Sequence, residues 1–275
     1  MTIKQALIKS TKRFAKIKHL SPILDAEVLL SFVLNQPKSY LFAHPEHKMT
    51  PSLEKRFNQL VSKRAQGLPI AYLLGSKEFF GLSFKVGPGI LIPRPETETM
   101  VEIILEQLKN NPGLKILDLG TGSGCIIIAL AKKLGPANSY FASDISSKAL
   151  AVAVQNADFH KVKIKFKQGN LLSAWPKENF DVIVANLPYL KKLTPSVKYE
   201  PKQSLLAKKG GLELYEQLLK QFKHQPPHAG FFEIGIEQGN RIKKLASRYL
   251  PDYEIKIIKD LTDRTRFVQL SRKLS

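Results

Sequence analysis

The stretch that decides the fold is Ile116-Leu117-Asp118-Leu119-Gly120-Thr121-Gly122-Ser123-Gly124, in which a short apolar run stops at a glycine-rich turn. The run is typical of a buried parallel strand, and the apolar residues 125–131 that follow the turn favour a helix. Glycines at such a turn allow the backbone to approach a ligand closely. A lone Gly-x-Gly-x-Gly pattern also fits any dinucleotide-binding turn, or a plain tight turn between strand and helix. The stretch predicts an α/β sheet, and a ligand crevice is the functional interpretation.

Two acidic residues stand close to this turn. Asp118 lies at the end of the first predicted strand, and Asp144 ends the next strand candidate, residues 139–143. An acid at the end of such a strand suits the hydroxyl groups of a ribose. The alternative interpretation of Asp118 is a turn or cap residue. The two acids therefore favour a ligand that contains a nucleoside.

A second apolar run, residues 182–185, stops at Asn186-Leu187-Pro188-Tyr189. These four residues resemble the Asn/Asp-Pro-Pro-Tyr signature of S-adenosylmethionine-dependent methyltransferases that act on planar nitrogens. A conjugated NH2 group is a poor nucleophile because its lone pair is delocalised. An Asn side-chain oxygen and a backbone carbonyl can each accept one of its N–H groups and hold the nitrogen in line with a methyl donor. The competing interpretation is a plain turn at the end of a strand.

The composition is that of a globular protein with a strong basic excess. The chain has 275 residues, and 43 Lys and Arg against 23 Asp and Glu give a formal net charge of +20. This charge permits a nucleic-acid, ribonucleoprotein or acidic protein partner, although a solvated basic surface explains it equally. No apolar run has the length needed to span a bilayer. We therefore expect no membrane partner, and the use of a single cysteine favours a cytoplasmic protein.

Metal and disulfide chemistry are not expected from the cysteine and histidine pattern. The single cysteine, Cys125, excludes an intrachain disulfide and any multi-cysteine metal site, and its apolar neighbours predict a buried packing role. His44 and His47 are three residues apart, but no third ligand is near them in the sequence. We interpret them as surface or packing histidines, because structural zinc sites need four ligands.

The chain divides into three segments by pattern. Residues 1–75 carry helical periodicity, and we expect their basic beginning to form a first helix of the mature fold rather than a targeting segment. Residues 76–98 are predicted to be a hairpin linker, with a strand over 79–86 and a turn at Gly87-Pro88-Gly89 before Ile90-Leu91-Ile92. Residues 99–275 alternate strand and helix patterns.

Four separated motifs stand out along the chain. They are Leu24-Asp25-Ala26-Glu27, Gly67-Leu68-Pro69-Ile70-Ala71-Tyr72-Leu73-Leu74-Gly75, Leu91-Ile92-Pro93-Arg94-Pro95-Glu96-Thr97-Glu98 and Asp263-Arg264-Thr265-Arg266. These motifs resemble those of the peptide chain release factor glutamine methyltransferases of the HemK (PrmC) type. They occur in the family's order, and the resemblance covers essentially the whole chain.

The resemblance implies a fold and a set of site residues. The implied fold is α/β, a Rossmann-like class I methyltransferase with a seven-stranded sheet, preceded by a small all-helical domain for substrate recognition. The residues implied to carry the acceptor chemistry are Asn186, Leu187, Pro188 and Tyr189, of which Tyr189 would pack against the amide. The residues implied to bind S-adenosylmethionine are Gly120, Thr121, Gly122, Ser123, Gly124, Asp144, Asn170, Leu171 and Asn186.

The sequence departs from the family at three of these positions. Leu187 stands where the family commonly has proline, Asn170 where it usually has an acid, and Leu171 where it often has an aromatic residue. Trp175 would cover the adenine or pack as an ordinary tryptophan. The polar, irregular residues 191–209 are predicted to form a lid over the acceptor site, because loops of that length are usually functional or disordered.

The resemblance implies methyl transfer from S-adenosylmethionine to the side-chain amide nitrogen (N5) of the glutamine in the Gly-Gly-Gln motif of a class I release factor. We expect a monomer that needs no metal and forms no stable nucleic-acid complex. Two alternatives stay open. One is a ribosomal RNA adenine N-methyltransferase, whose helical domain however follows the catalytic domain. The other is a non-catalytic, ribosome-associated binding protein on the same scaffold. A weaker interpretation than either of these is an oxidoreductase, because it leaves Asn186 to Tyr189 unexplained.

Overall fold

The computed structural model describes residues 1–17, 20–194, 197–207 and 209–273. Residues 195, 196 and 208 of the predicted lid lie outside the described part of the chain. The chain separates into two compact units. The helical unit comprises Met1–Ser76 and Thr194–Tyr199, and the sheet unit comprises Lys77–Leu193 and Glu200–Ser275.

The described residues of the helical unit form five helices. The first begins at a capping box in which Thr2 and Gln5 satisfy each other's backbone N–H groups, and the fourth begins at Thr50, whose side chain accepts the N–H of Leu53. Asp25 and Arg64 form an ion pair of 2.8 Å. The buried carboxylate thereby ties two helices together. The helices are α1 Ile3–Phe14, α2 Pro22–Leu34, α3 Lys38–Ala43, α4 Pro51–Ala65 and α5 Ile70–Leu74.

The predicted hairpin exists, but its two strands reverse earlier than expected. The strands are β1, Ser76–Phe79, and β2, Leu82–Lys85, so the hairpin reverses at Phe80-Gly81. The predicted turn at Gly87-Pro88-Gly89 is also present, closed by the Ile90 N–H donating to the Gly87 carbonyl at 3.0 Å, but it follows the hairpin instead of joining its strands. Phe80 has φ +53° and Gly81 has φ +70°, the left-handed pair that a two-residue hairpin turn needs. The sequence did not indicate this turn, because phenylalanine rarely adopts a positive φ. Residues 90–92 form no strand.

The sheet unit contains a mixed seven-stranded sheet in the order β5-β4-β3-β6-β7-β9-β8. The first five strands in this order are parallel, and β9 pairs antiparallel with both of its neighbours, β7 and β8. The strands are β3 Lys115–Leu119, β4 Ser139–Asp144, β5 Ile164–Gln168, β6 Val182–Ala185, β7 Ala229–Glu233, β8 Tyr253–Lys259 and β9 Thr265–Arg272.

Alternate residues of the central strands enter two different cores. Leu117 and Ile183 belong to one buried cluster, whereas Ile116 and Val182 belong to the other. Both faces of the sheet are therefore covered, as parallel strands require. The helices of this unit are α6 Glu96–Leu108, α7 Cys125–Leu134, α8 Ser147–Phe159, α9 Glu213–Phe222 and α10 Gly239–Tyr249.

The strand order determines where a ligand can bind. From β3 the chain runs outward through β4 to β5 and then returns to β6 on the other side of β3. Ligands in open α/β sheets bind beyond the carboxyl ends of the strands at such a switch point. The predicted fold class, a Rossmann-like sheet after a helical N-terminal region, is confirmed. Within the described ranges, no helix combines the length and the apolar character needed to cross a membrane.

Candidate active site

A pocket with about 940 Å³ of empty volume lies at the carboxyl ends of β3, β4 and β6. Both loops singled out in the sequence contribute to it, together with residues from the Pro-Arg-Pro-Glu-Thr-Glu motif and from the predicted lid. Its lining residues include Ile92, Arg94, Thr97, Gly120, Thr121, Gly122, Ser123, Asp144, Asn170, Leu171, Asn186, Leu187, Pro188, Gln203 and Ser204.

Backbone geometry makes the glycine turn open on its pocket side. The N–H groups of Gly120 and Thr121 both donate to the carbonyl of Ser143, at 2.8 and 3.0 Å, which fixes the turn against β4. Gly122 has φ +57°, and a Cβ placed on it would meet nothing within 4 Å. A Cβ on Gly120 would lie 3.2 Å from the Leu187 side chain. The turn therefore leaves space at Gly122 and packs tightly against the second loop at Gly120.

Asp144 joins the turn to the start of α8. Its Oδ2 accepts the N–H of Gly122 at 2.9 Å, and its Oδ1 accepts the N–H of Ser146 at 2.8 Å. Burial raises the pKa of Asp144 above its ordinary value, and these N–H groups act in the opposite direction. The carboxylate lines the pocket with its orientation fixed from both sides.

Asp118 is fully buried behind the turn rather than exposed to the pocket. Its Oδ2 accepts the Thr121 hydroxyl at 2.7 Å, and its Oδ1 has no hydrogen-bond partner among the residues that the structure describes. Loss of solvent raises the pKa of Asp118 from 3.8 to about 7. Asp118 therefore stabilises the turn, which agrees with the alternative interpretation of Asp118 as a turn or cap residue.

Asp118→Asn should remove a pH dependence of stability. Because the folded pKa exceeds the unfolded one, the folded state binds the proton more tightly, and the free energy of unfolding falls as pH rises from about 4 to about 7. A shift of this size corresponds to about 4 kcal/mol. Urea unfolding followed by the fluorescence of Trp175, the single tryptophan, measures the difference between the two proteins at each pH. Parallel pH curves would contradict the assignment.

The second loop is held by partners from other strands and helices. The Asn186 Nδ2 donates to Glu233 Oε2 at 3.0 Å, and the Tyr189 hydroxyl donates to Glu233 Oε1 at 3.1 Å. Thr97 donates its hydroxyl to the same Glu233 Oε2 at 2.6 Å. Burial raises the pKa of Tyr189, and the neighbouring Glu233 raises it further, so its hydroxyl keeps its proton. Tyr189 faces Glu233 and is not among the lining residues within the described ranges.

The departure at Leu187 is accommodated by Tyr215. Leucine has a backbone N–H that proline lacks, and this N–H donates to the Tyr215 hydroxyl at 3.1 Å. The Tyr215 hydroxyl in turn donates to the backbone carbonyl of Glu233. Tyr215 and Leu187 are both buried, so each bond satisfies a group that water does not reach.

Tyr215→Phe should destabilise the sheet unit by about 2 kcal/mol, because it leaves a buried N–H and a buried carbonyl unpaired. The loss should shrink in a Leu187→Pro background, where there is no N–H to lose its partner. Urea unfolding followed at Trp175 gives all four free energies of the double-mutant cycle. Equal losses in both backgrounds would show that the hydroxyl does not act through Leu187.

Arg94 and Glu200 connect the Pro-Arg-Pro-Glu-Thr-Glu motif to the predicted lid. The Arg94 Nη2 lies 2.5 Å from Glu200 Oε1, and Glu200 Oε2 accepts the N–H of Ile92 at 3.0 Å. Glu200 is buried, whereas Arg94 also lines the pocket. Glu200 therefore binds both the Arg94 guanidinium and the backbone N–H of Ile92 at the side of the pocket.

Several predicted positions lie in different surroundings. Asn170 and Leu171 line the pocket, and Leu171 has φ +50°. Trp175 packs edge-on against Phe141, with ring centroids 5.3 Å apart, in the core cluster. Gly124 begins α7 with φ +81° and packs toward Ile128 and Ala153.

Cys125 is buried at the edge of the pocket, and loss of solvent raises the pKa of its thiol to about 12, as expected for a packing residue. Across the described ranges, no group of three or more His, Cys, Asp or Glu side chains is arranged to hold a metal ion.

The comparisons with known proteins decide the family. Residues 5–75 match the PrmC N-terminal domain, and residues 94–209 match the methyltransferase small domain. A release factor glutamine methyltransferase of Koribacter versatilis is 36% identical over 277 residues, which is 98% of this chain and 98% of that protein. This chain belongs to the release factor glutamine methyltransferase family. A family member from Coxiella burnetii is 36% identical over 100% of this chain and 98% of its own length.

The solved structures agree with the fold. A methyltransferase from Pyrococcus furiosus superposes with a TM-score of 0.55 at 19% identity, covering 78% of this chain and 98% of that one. The family predicted from the four motifs is confirmed. Two residues that the sequence reasoning did not connect to the site lie around it in the structure, Tyr215 and Glu233. Thr97 of the third motif and Glu200 of the predicted lid also lie there, although the sequence reasoning assigned neither residue a role of its own.

Proposed function

We propose that this protein transfers a methyl group from S-adenosylmethionine to the side-chain amide nitrogen of the glutamine in the Gly-Gly-Gln motif of a class I peptide chain release factor. One observation carries the proposal. The glycine turn after β3 and Asn186-Leu187-Pro188 after β6 line the same pocket, with the Asn186 NH2 turned toward Glu233. Two relatives that match almost the full length are named release factor glutamine methyltransferase.

The residues present fit S-adenosylmethionine, which supplies an activated methyl group when bound. The open side of Gly122 offers a cradle that a Cβ would fill, and Asp144 beside it presents a carboxylate suited to a ribose diol. We assign cofactor binding to these two residues together with Gly120, Thr121, Ser123, Gly124, Asn170, Leu171 and Asn186. The contribution of Gly124 is to shape the turn, since its own Cβ position faces α7 and α8.

The acceptor amide would be held by two oxygens of the second loop. Because Asn186 directs its NH2 to Glu233, its Oδ1 is available to accept one N–H of the glutamine, and the carbonyl of Leu187 would accept the other. Pro188 lacks an N–H, so it does not compete for these acceptors. Tyr189 supports this arrangement through Glu233. Catalysis then rests on positioning the nitrogen and on stabilising the charge that develops on it.

The finer expectations on partners follow from this proposal. We propose that the enzyme acts as a monomer in the cytoplasm and needs no metal ion. We also propose that it forms no stable nucleic-acid complex, because its substrate is a protein. We further propose residues 1–75 as a substrate-recognition domain, 76–98 as the linker and 99–275 as the catalytic domain. Size-exclusion chromatography with light scattering tests the monomer directly.

An acceptor comparison tests the proposal against its alternatives. The protein is incubated with S-adenosylmethionine labelled in its methyl group and with either a purified class I release factor or protein-free ribosomal RNA. Label in the release factor alone supports the proposal. Label in the RNA alone would indicate the RNA adenine methyltransferase. No label in either, with no cofactor binding by calorimetry, would indicate the non-catalytic binding protein.

A further inference from the structure

Glu233 is a buried carboxylate at the centre of the acceptor loop. It ends β7, and only 1% of its surface is exposed. Three side chains donate to it: Thr97 and Asn186 to Oε2, and Tyr189 to Oε1. Burial of a carboxylate is costly unless it is hydrogen-bonded, so these three donors account for its stability in this position.

The sheet register explains why Glu233 meets Asn186. Strands β6 and β7 are parallel neighbours, with Ala185 opposite Phe232. Asn186 directly follows the last residue of β6, and Glu233 is the last residue of β7, so the two lie side by side at the same edge of the sheet. The contact therefore follows from the pairing of β6 with β7.

The contact also determines which way the Asn186 amide points. Burial raises the pKa of Glu233, whereas the hydrogen bonds from Thr97 and Tyr189 and the charge of Arg266 act in the opposite direction. In its ionised form this carboxylate accepts hydrogen bonds and donates none. Asn186 must therefore present its NH2 to Glu233 and turn its Oδ1 away from that carboxylate. The Thr97 hydroxyl, whose oxygen is 3.4 Å from the Asn186 Nδ2, donates its own proton to Glu233 and reinforces the same orientation.

We infer that Glu233 is a positioning residue that fixes the Asn186 amide with its oxygen available to the acceptor nitrogen. With the amide reversed, Asn186 would present an NH2 to the NH2 of the substrate, and two donors would face each other. The inference rests on the proposed function, because it concerns the orientation of an acceptor amide. Glu233 itself does not line the pocket among the described residues.

The test compares Glu233→Leu and Asn186→Ala singly and together, under single-turnover conditions with a class I release factor. Leucine keeps the bulk of the side chain and removes the acceptor. We expect the single Glu233→Leu change to lower the methylation rate on the order of 10- to 100-fold. In the Asn186→Ala background the same change should cost less than about twofold, because the amide that it orients is absent.

Glu233→Gln serves as the conservative variant and as a safeguard if leucine prevents folding. Its amide keeps one oxygen for Asn186, so we expect it to retain more activity than the leucine variant, and its own loss should also vanish in the Asn186→Ala background. Glu254→Leu is the matched control, since Glu254 is exposed on β8. Calorimetry should show that each Glu233 variant binds the cofactor with the same affinity as the protein with Glu233 intact.

Losses that multiply in the double variants would overturn the inference and assign Glu233 a role in packing alone. Unchanged activity in both Glu233 variants would overturn it as well. A wild-type protein that transfers no methyl group to the release factor would instead contradict the proposed function. The wild-type reaction thus separates the two failures.

Discussion

Asn186→Ala is expected to lower the rate of methyl transfer about a thousandfold, comparable to the loss of a preorganised group that stabilises developing charge. The variant removes the oxygen that would accept one N–H of the acceptor amide, while the glycine turn and Asp144 remain. The dissociation constant for S-adenosylmethionine should therefore change by less than about threefold, or well under 1 kcal/mol. Rates come from single-turnover methylation of the release factor, and affinities come from calorimetry.

The matched control is Asn240→Ala, because Asn240 is an exposed asparagine of α10. Its rate should equal that of the wild type. Normal turnover by Asn186→Ala would contradict the acceptor scheme and would leave Asn186 as an ordinary residue at the end of a strand. A loss confined to cofactor affinity would move Asn186 from the acceptor to the cofactor side of the pocket.

Asp144→Ala is expected to weaken cofactor binding about a hundredfold, roughly 2.7 kcal/mol. The carboxylate is proposed to bind the ribose hydroxyls, and it also holds the N–H groups of Gly122 and Ser146. Its removal therefore affects both a direct contact and the shape of the turn. Asp158→Ala, an exposed position of α8, is the control and should bind normally. Unchanged affinity for Asp144→Ala would place the ribose elsewhere.

The sequence patterns predicted the central strands and the helix after the glycine turn well, because the apolar runs that indicate them act locally. The strands at 116–119 and 182–185 and the helix after Gly124 lie where their residues indicated. The turn at Phe80-Gly81 was missed because a positive φ at phenylalanine is uncommon, and no local rule favours it. Gly87 and Gly89, which flank Pro88, gave the stronger turn signal in the sequence.

The partners of the site were harder to predict than the site itself. Asn186 and Glu233 are 47 residues apart and meet only because β6 and β7 are neighbours in the sheet. A signal did exist, since Glu233 is a charged residue within the apolar run Phe231-Phe232-Glu233-Ile234, at the carboxyl end of a predicted strand. A buried acid at that edge of a parallel sheet indicates proximity to the ligand crevice.

Leu187 shows that the effect of a substitution within a four-residue motif depends on residues outside the motif. From the sequence, leucine in place of proline adds an N–H and loosens the backbone. In the structure, Tyr215 accepts that N–H and is itself anchored on Glu233. The compensation comes from α9, a helix with no local link to the motif.

The most direct test of the proposed function is mass spectrometry of a class I release factor after incubation with this protein and S-adenosylmethionine. The account predicts that one peptide, the one containing Gly-Gly-Gln, gains the mass of one methylene group, and that fragmentation places the gain on the glutamine side chain. A release factor with alanine in place of that glutamine should gain nothing. A methyl group on another residue, or an unmodified release factor with cofactor demonstrably bound, would contradict the account.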